Sequence, residues 1–194
     1  DSERILNTRK IAVIGVFSAI ATILHMVDFP LPFAPPFYKL DFSEIPVLIC
    51  GFAFGPVAGV MTEFIKILLK LVVKGTSTAF VGDLANFVVG CSFVLPATII
   101  YRFLKTKKAA IVSCIVGTIV ITVVGSVFNA VYLLPAFSAL YHMPMEALID
   151  MGRAVNPNIT DVTTLVCFAV APLNVVKGAS VSVVTMLVYK HLSP

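Results

Sequence analysis

The chain reads as a succession of apolar runs broken by proline, glycine or charge, and the breaks mark off six segments: residues 10–27, 44–54, 56–73, 80–103, 109–135 and 162–189. Five of them approach or exceed the roughly 20 residues with which a helix crosses about 30 Å of hydrocarbon. They predict an all-α integral membrane protein, a single compact bundle of six transmembrane helices over residues 1–194. Segment 44–54 is short for a full crossing, and only Gly55-Pro56 separates it from the next. A tight helical hairpin is expected there, because proline is acceptable in the first turn of the second helix.

The polar positions between the runs set the sidedness. Arg4, Arg9 and Lys10 precede the first segment, Arg102, Lys105, Lys107 and Lys108 join the fourth to the fifth, and Lys190 follows the last. Six crossings put all three clusters on one face, which the positive-inside rule makes cytoplasmic. Both termini are therefore expected inside a multi-pass protein of the cell membrane. The loops 28–42, 74–79 and 136–161 then face outward. The first contains "DFPLPFAPPFYKLD", stiff and greasy, and is expected to fold back as an extracellular lid between helices 1 and 2. The third carries a short interfacial helix around residues 145–153, led in by Pro144.

Polar residues inside the runs are costly in lipid, so their depth carries information. Asp83 and Asn86 fall in the first turns of the fourth segment, Asn174 and Lys177 lie deeper in the sixth, and Asn129 lies toward the outer end of the fifth. The cytoplasmic halves of these helices are nearly pure Val, Ile, Leu, Ala and Gly. The asymmetry argues for a polar pocket that opens outward over a sealed floor; a continuous pore would be polar on both sides. Asn174 and Lys177 stand at i, i+3 and share a helix face, where an amide and an ammonium suit a carbonyl-rich ligand. Tying helices together by hydrogen bonds is the competing reading, open for Asn129 and a poorer fit to a buried lysine. Glu63 and Lys66 are spaced to pair near mid-membrane, and Lys70 and Lys74 to snorkel to the outer headgroups. Gly15-xxx-Ala19 and Ser18-xxx-Thr22, with Ala12 and Ala21, make helix 1 smooth enough for close approach, within the bundle or by a partner.

Composition agrees with the pattern. The chain is 59% hydrophobic and 12% charged, against roughly 45–50% and 25% for a soluble domain. The net charge of +4 comes from the cytoplasmic clusters, so a solvated basic face explains it better than nucleic-acid binding. Cys50, Cys91, Cys114 and Cys167 are isolated in apolar runs, which points to small lipid-embedded side chains and to neither disulfides nor metal ligands. His25, His142 and His191 lie near segment ends, where wet interfacial positions are expected. Asp1 in place of methionine suggests a processed or trimmed start, with the first span as the targeting signal. "VVKGTST" and "VVKGAS" lack the leading glycine and the GK order of a phosphate-binding loop, and neither HExxH nor GxSxG occurs. An outward pocket without an engine implies facilitated diffusion or a partner that supplies energy. No catalytic residue, metal or cofactor is expected.

The run "LDFSEIPVLICGFAFGPVAGVMTEFIKILLK", the following "GDLANF" and the late "APLNVVKG" resemble the riboflavin-specific substrate-binding (S) component of energy-coupling factor (ECF) vitamin transporters, over nearly the whole chain. The resemblance implies a six-helix subunit that captures riboflavin from outside. Its partners would be a transmembrane coupling (T) component and two ABC-type ATPases, and it would topple in the membrane to release its cargo. By the same resemblance Asn174, Lys177 and Asn129 hold the ligand. Leu40, Asp41, Phe42, Ser43 and Glu44, with the turn at Gly82, supply contacts to the flavin edge, beside the polar Asp83 and Asn86. Helix 1 of this family docks on the coupling component through small residues, here Ala12, Gly15 and Ala19. Ser43 reads as an N-cap and Glu44 as a first-turn carboxylate, while Phe42, Phe80, Phe128 and Tyr132 are candidates to stack on a flat tricyclic ring.

Two other readings compete. One is an S component for folate, biotin or thiamine. The other is a small membrane enzyme such as a lipid or prenyl transferase, which would need acidic metal-binding clusters on the cytoplasmic side, where Asp and Glu are nearly absent. A purely structural subunit would leave Lys177 without a reason.

Overall fold

In the computed structural model, residues 8–35, 39–75 and 80–192 are described, without the side chains of 190–192. Arg4, the centre of the first loop at 36–38, positions 76–79 of the second loop, and the side chains of Lys190 and His191 lie outside the described residues.

Helix α1 spans Thr8–Met26, and the chain then forms two two-residue strands, β1 (Phe29–Pro30) and β2 (Lys39–Leu40), paired antiparallel with Phe29 opposite Leu40. Helices α2 (Glu44–Phe54) and α3 (Pro56–Lys74) follow as a hairpin. Its single connecting residue is Gly55, at φ 99°, a left-handed conformation that favours glycine. Helix α4 spans Val81–Phe103. Helix α5 is continuous from Lys107 to Leu140, and α6 covers Met145–Arg153. Helix α7 begins at Val162–Leu165 and continues to Leu192. Successive helices alternate in direction, so the connections after α1, α3 and α5 gather at one end, the loop end. The start of α1, the α4–α5 turn and the end of α7 gather at the other, the terminal end.

Among the described residues, four helices are long and apolar enough to cross a membrane: Thr8–Met26, Val81–Phe103, Lys107–Leu140 and Val162–Tyr189. The surface they present is itself apolar. On α5, Ile111, Ile115, Ile119, Val123, Val127 and Val131 recur every four residues and are all exposed, a stripe suited to lipid. Helix α3 differs because Glu63, Lys66, Lys70 and Lys74 interrupt it; α2 is apolar but only 11 residues long.

The fifth segment was expected to end at Pro135, yet α5 runs on to Leu140. A π turn over Asn129–Leu133 makes this feasible, with the Leu134 N–H donating to the Asn129 carbonyl. Proline has no N–H and its ring clashes with the carbonyl four residues back in a regular helix; the wider turn ahead of it relieves both conflicts. Helix α7 repeats the device: a π turn over Val166–Val170, closed by the Ala171 N–H on the Val166 carbonyl, stands just before Pro172.

Two apolar clusters bracket the bundle. The one at the loop end includes Leu40, Leu133, Phe137, Leu148, Ile149, Ile159 and Leu165. The other, toward the terminal end, includes Val47, Leu48, Phe52, Phe93, Val94, Tyr101 and Ile121. Tyr101 and Tyr189 close it with a hydroxyl hydrogen bond of 3.0 Å.

Candidate functional site

Between the two clusters lies a cavity of about 560 Å³, within the roughly 300–1,000 Å³ of small-molecule sites. Helix α4 begins at its wall, placing Gly82, Asp83 and Asn86 there, while α5 contributes Asn129 and α7 contributes Asn174 and Lys177. Asp41, at the foot of the β2–α2 connection, completes the set of expected residues that reach it. Leu40, Phe42, Ser43 and Glu44 do not line it. Leu40 is buried in the loop-end cluster, Phe42 packs its ring 5.9 Å from Phe29, and Ser43 and Glu44 are buried behind the wall.

Asn129 and Asn174 come from the two helices that carry π turns. The Asn129 side-chain amide donates to the Gly125 carbonyl at 2.7 Å, so it sits on its own helix one turn back. Asn174 packs directly on Gly125, where a Cβ would collide with its amide. The close approach of α5 and α7 at this level therefore depends on the absence of a side chain at 125.

Two pairs of titratable side chains stand on the cavity wall. Lys70 donates to Asp83 Oδ1 at 2.7 Å, in place of the expected snorkelling, because the start of α4 brings a carboxylate within its reach. The second oxygen, Asp83 Oδ2, is buried with no hydrogen-bond partner among the described residues. Lys74 is exposed at the rim as expected. His25 is buried and meets Asp41 Oδ2 at 3.1 Å, which corrects its reading as a wet interfacial histidine. Asp41 Oδ1 accepts from both the backbone N–H and the hydroxyl of Ser43. Burial pushes the Asp41 carboxyl up, but the hydrogen bond from His25 and the charges of Lys177 and Lys66 outweigh it and hold the group below the usual carboxylate range.

Ser43 makes no side-chain cap to α2, so the expected N-cap is absent; its hydroxyl is engaged by Asp41 and Lys66 instead. Glu44 likewise is more than a first-turn carboxylate. It is buried and receives Lys66 Nζ at 3.0 Å, with Lys177 Nζ 3.9 Å from the same oxygen. Lys66 also meets Glu63 Oε1 at 2.7 Å, the i, i+3 pair read from the sequence.

The aromatic surface of the cavity comes from Phe137 and Tyr141, whose rings are 5.7 Å apart. The four expected aromatics do not reach it. Phe80 and Tyr132 are exposed, and Phe128 packs against Tyr132. Phe137 was missed because the helix was expected to stop two residues earlier. Cys50, Cys91 and Cys114 are buried among helices, not set in lipid, and Cys167 is exposed. Ala12, Gly15 and Ala19 are exposed on α1, and a Cβ at Gly15 would meet nothing within 4 Å. The inward face of α1 uses Ile14, Ser18, Ala21 and Thr22.

A polar cavity inside a helix bundle with an apolar outer surface is the arrangement of a membrane-embedded solute-binding protein. Residues 9–189 match the family described as ECF transporter, substrate-specific component. The chain is 33% identical to the riboflavin transporter FmnP of Bacillus subtilis (strain 168) over 190 residues, covering 97% of this chain and 94% of that one. It is 35% identical to the riboflavin transporter RibU of Staphylococcus aureus (strain TCH60) over 187 residues, covering 96% and 92%. A solved structure, described as "Structure and mechanism of the S component of a bacterial ECF transporter", superposes with a TM-score of 0.74 at 36% identity over 95% of each chain. The chain belongs to the family of substrate-specific components of ECF transporters, which are transport proteins and not enzymes.

Proposed function

We propose that the chain captures riboflavin from outside the cell and delivers it inward as the substrate-binding subunit of an ECF-type importer, whose T component and two ABC ATPases supply the energy. The observation that carries this reading is the cavity itself: the carboxylates of Asp41 and Asp83 on its wall are engaged by His25 and Lys70, and aromatic and amide side chains share the lining. Such a wall suits a neutral ligand that is flat on one part and rich in hydrogen-bonding groups on another. Phe137 and Tyr141 offer aromatic surface for the ring. Asn129, Asn174 and Lys177, with the turn at Gly82, Asp83 and Asn86, offer donors and acceptors for its edge and tail. The names of the relatives in Bacillus subtilis and Staphylococcus aureus support riboflavin over other vitamins.

In this reading α1–α5 and α7 all cross the cell membrane as one domain, both termini are cytoplasmic, and the cavity opens outward. Arg9, Lys10, Arg102, Lys105, Lys107 and Lys108 at the terminal end support that orientation. The 28–42 connection acts as a lid, with Ala34 and Leu40 buried in the loop-end cluster as its anchor. The exposed Ala12, Gly15 and Ala19 receive the T component.

Purified chain is titrated with riboflavin by quenching of flavin fluorescence, with folate, biotin and thiamine as competitors. The expected outcome is a saturable site displaced by none of the three and a yellow preparation with flavin absorbance. A preparation that neither carries nor binds flavin overturns the proposal.

A further inference from the structure

Lys66 does not line the cavity, yet it touches three side chains behind the wall. It is 1% exposed, and its ammonium has three short contacts: Ser43 Oγ at 3.0 Å, Glu44 Oε1 at 3.0 Å and Glu63 Oε1 at 2.7 Å. The first two are hydrogen bonds and the third is an ion pair, so the ammonium is held from three directions. Two of these contacts lead back to the cavity. Ser43 donates to Asp41, which holds His25, and both of these line the wall. Glu44 stands 3.9 Å from Lys177, which also lines it.

We propose that Lys66 is a positioning residue for ligand binding: it fixes Ser43 and Glu44, and through them sets where Asp41 and Lys177 present their charges. The inference rests on the riboflavin reading. Its physical basis is that a buried ion pair is weak evidence for stability, since desolvation offsets most of the attraction, and is better suited to selecting one arrangement. The groups facing Lys66 are Ser43 and Glu44 at the start of α2 and Glu63 on its own helix, and Gly90 on α4 stands against the two carboxylates. A Cβ at Gly90 would stand 2.5 Å from Glu63 Oε1 and 2.8 Å from Glu44 Oε1. Helix α4 thus packs closely over the two carboxylates that hold Lys66.

The test uses the full chain in detergent and reads riboflavin affinity and thermal unfolding together. Lys66→Met combined with Glu63→Gln removes one charge of each sign. The double variant is expected to remain helical and to bind riboflavin about tenfold more weakly or worse. In a Lys177→Ala background the same pair is expected to cost less than about threefold further, because one of its routes to the ligand is already gone. A residue that only supports the fold would move the unfolding temperature and combine additively with Lys177→Ala. Wild-type affinity in the double variant, or full additivity, overturns the proposal. If the double variant does not fold, Ser43→Ala decides: it interrupts the relay to Asp41 alone, and unchanged affinity would be equally fatal. The wild-type titration is read first, and a wild type that binds no riboflavin overturns both this proposal and the reading beneath it.

Discussion

Where α2 meets α4 and α5 toward the terminal end, Val47, Leu48, Phe93, Val94 and Ile121 are almost wholly buried against one another. Where the start of the same α2 meets α3 and α7, Ser43, Glu44, Glu63 and Lys66 are just as buried but joined by charge. The first region is governed by volume: any apolar side chain of the right size fills it, and a smaller one leaves a void. The second is governed by charge, because one ammonium must reach Ser43, Glu44 and Glu63 from a single position. Stability in this protein is therefore spread through the first region, while ligand recognition is concentrated beside the second.

The comparison is most exposed at Phe93, which is 1% accessible. Phe93→Ala is expected to destabilise the protein by about 3–5 kcal/mol and to leave the riboflavin affinity of the folded fraction within about twofold. Thermal unfolding and titration of the same sample measure both, and a large affinity loss would mean that the two regions are not separable. Next in size is Gly125→Ala, which drives a methyl group into Asn174. Affinity is expected to fall about tenfold, or roughly 1.4 kcal/mol, with little change in helix content by circular dichroism. Wild-type affinity would remove Asn174 from the binding set.

The smallest effect is in pH. Asp41 is held below its ordinary carboxylate value of 3.8, so it binds fewer protons folded than unfolded near and below that value. Its contribution to stability is complete above 3.8 and is lost as the pH falls through the lower folded value. Asp41→Asn should remove that part of the acid-side decline. Unfolding curves of wild type and variant, taken from pH 6 downward, are expected to converge toward the acid end; parallel curves would detach Asp41 from His25.

Much of the scaffold is legible in the chain because apolar periodicity and hinge residues act locally. Gly55-Pro56 announces the α2–α3 hairpin, and Pro144 announces α6. Asp83, Asn86, Asn129, Asn174 and Lys177 could be chosen because polar groups in apolar runs need a reason, whereas Asp41 and Gly82 came from the resemblance of their surrounding motifs to a known family. The remainder depends on contacts between distant segments. His25 looks interfacial until Asp41, 16 residues on, folds against it. Lys66 shows its pairing with Glu63 in the spacing, but its contacts with Ser43 and Glu44 cross from another helix. Phe137 and Tyr141 were hidden because Pro135 reads as a stop, and nothing local says that the helix will widen and pass it.

That widening has a further consequence. A π turn holds one residue more than the α-helical turn it replaces, and each residue advances the helix by roughly 100°. Deleting a single residue from 129–133 or 166–170 would therefore let the wide turn close as an ordinary one and leave Phe137, Asn174 and Lys177 on their sides of the helices, though it would return Pro135 or Pro172 to a regular turn. Deleting a residue from the regular turns around them would instead swing everything that follows about the helix axis. The orientation of the cavity-facing side chains is thus set by residue count along two helices, and the wide turns are where the loss of one codon can be absorbed without turning those side chains away.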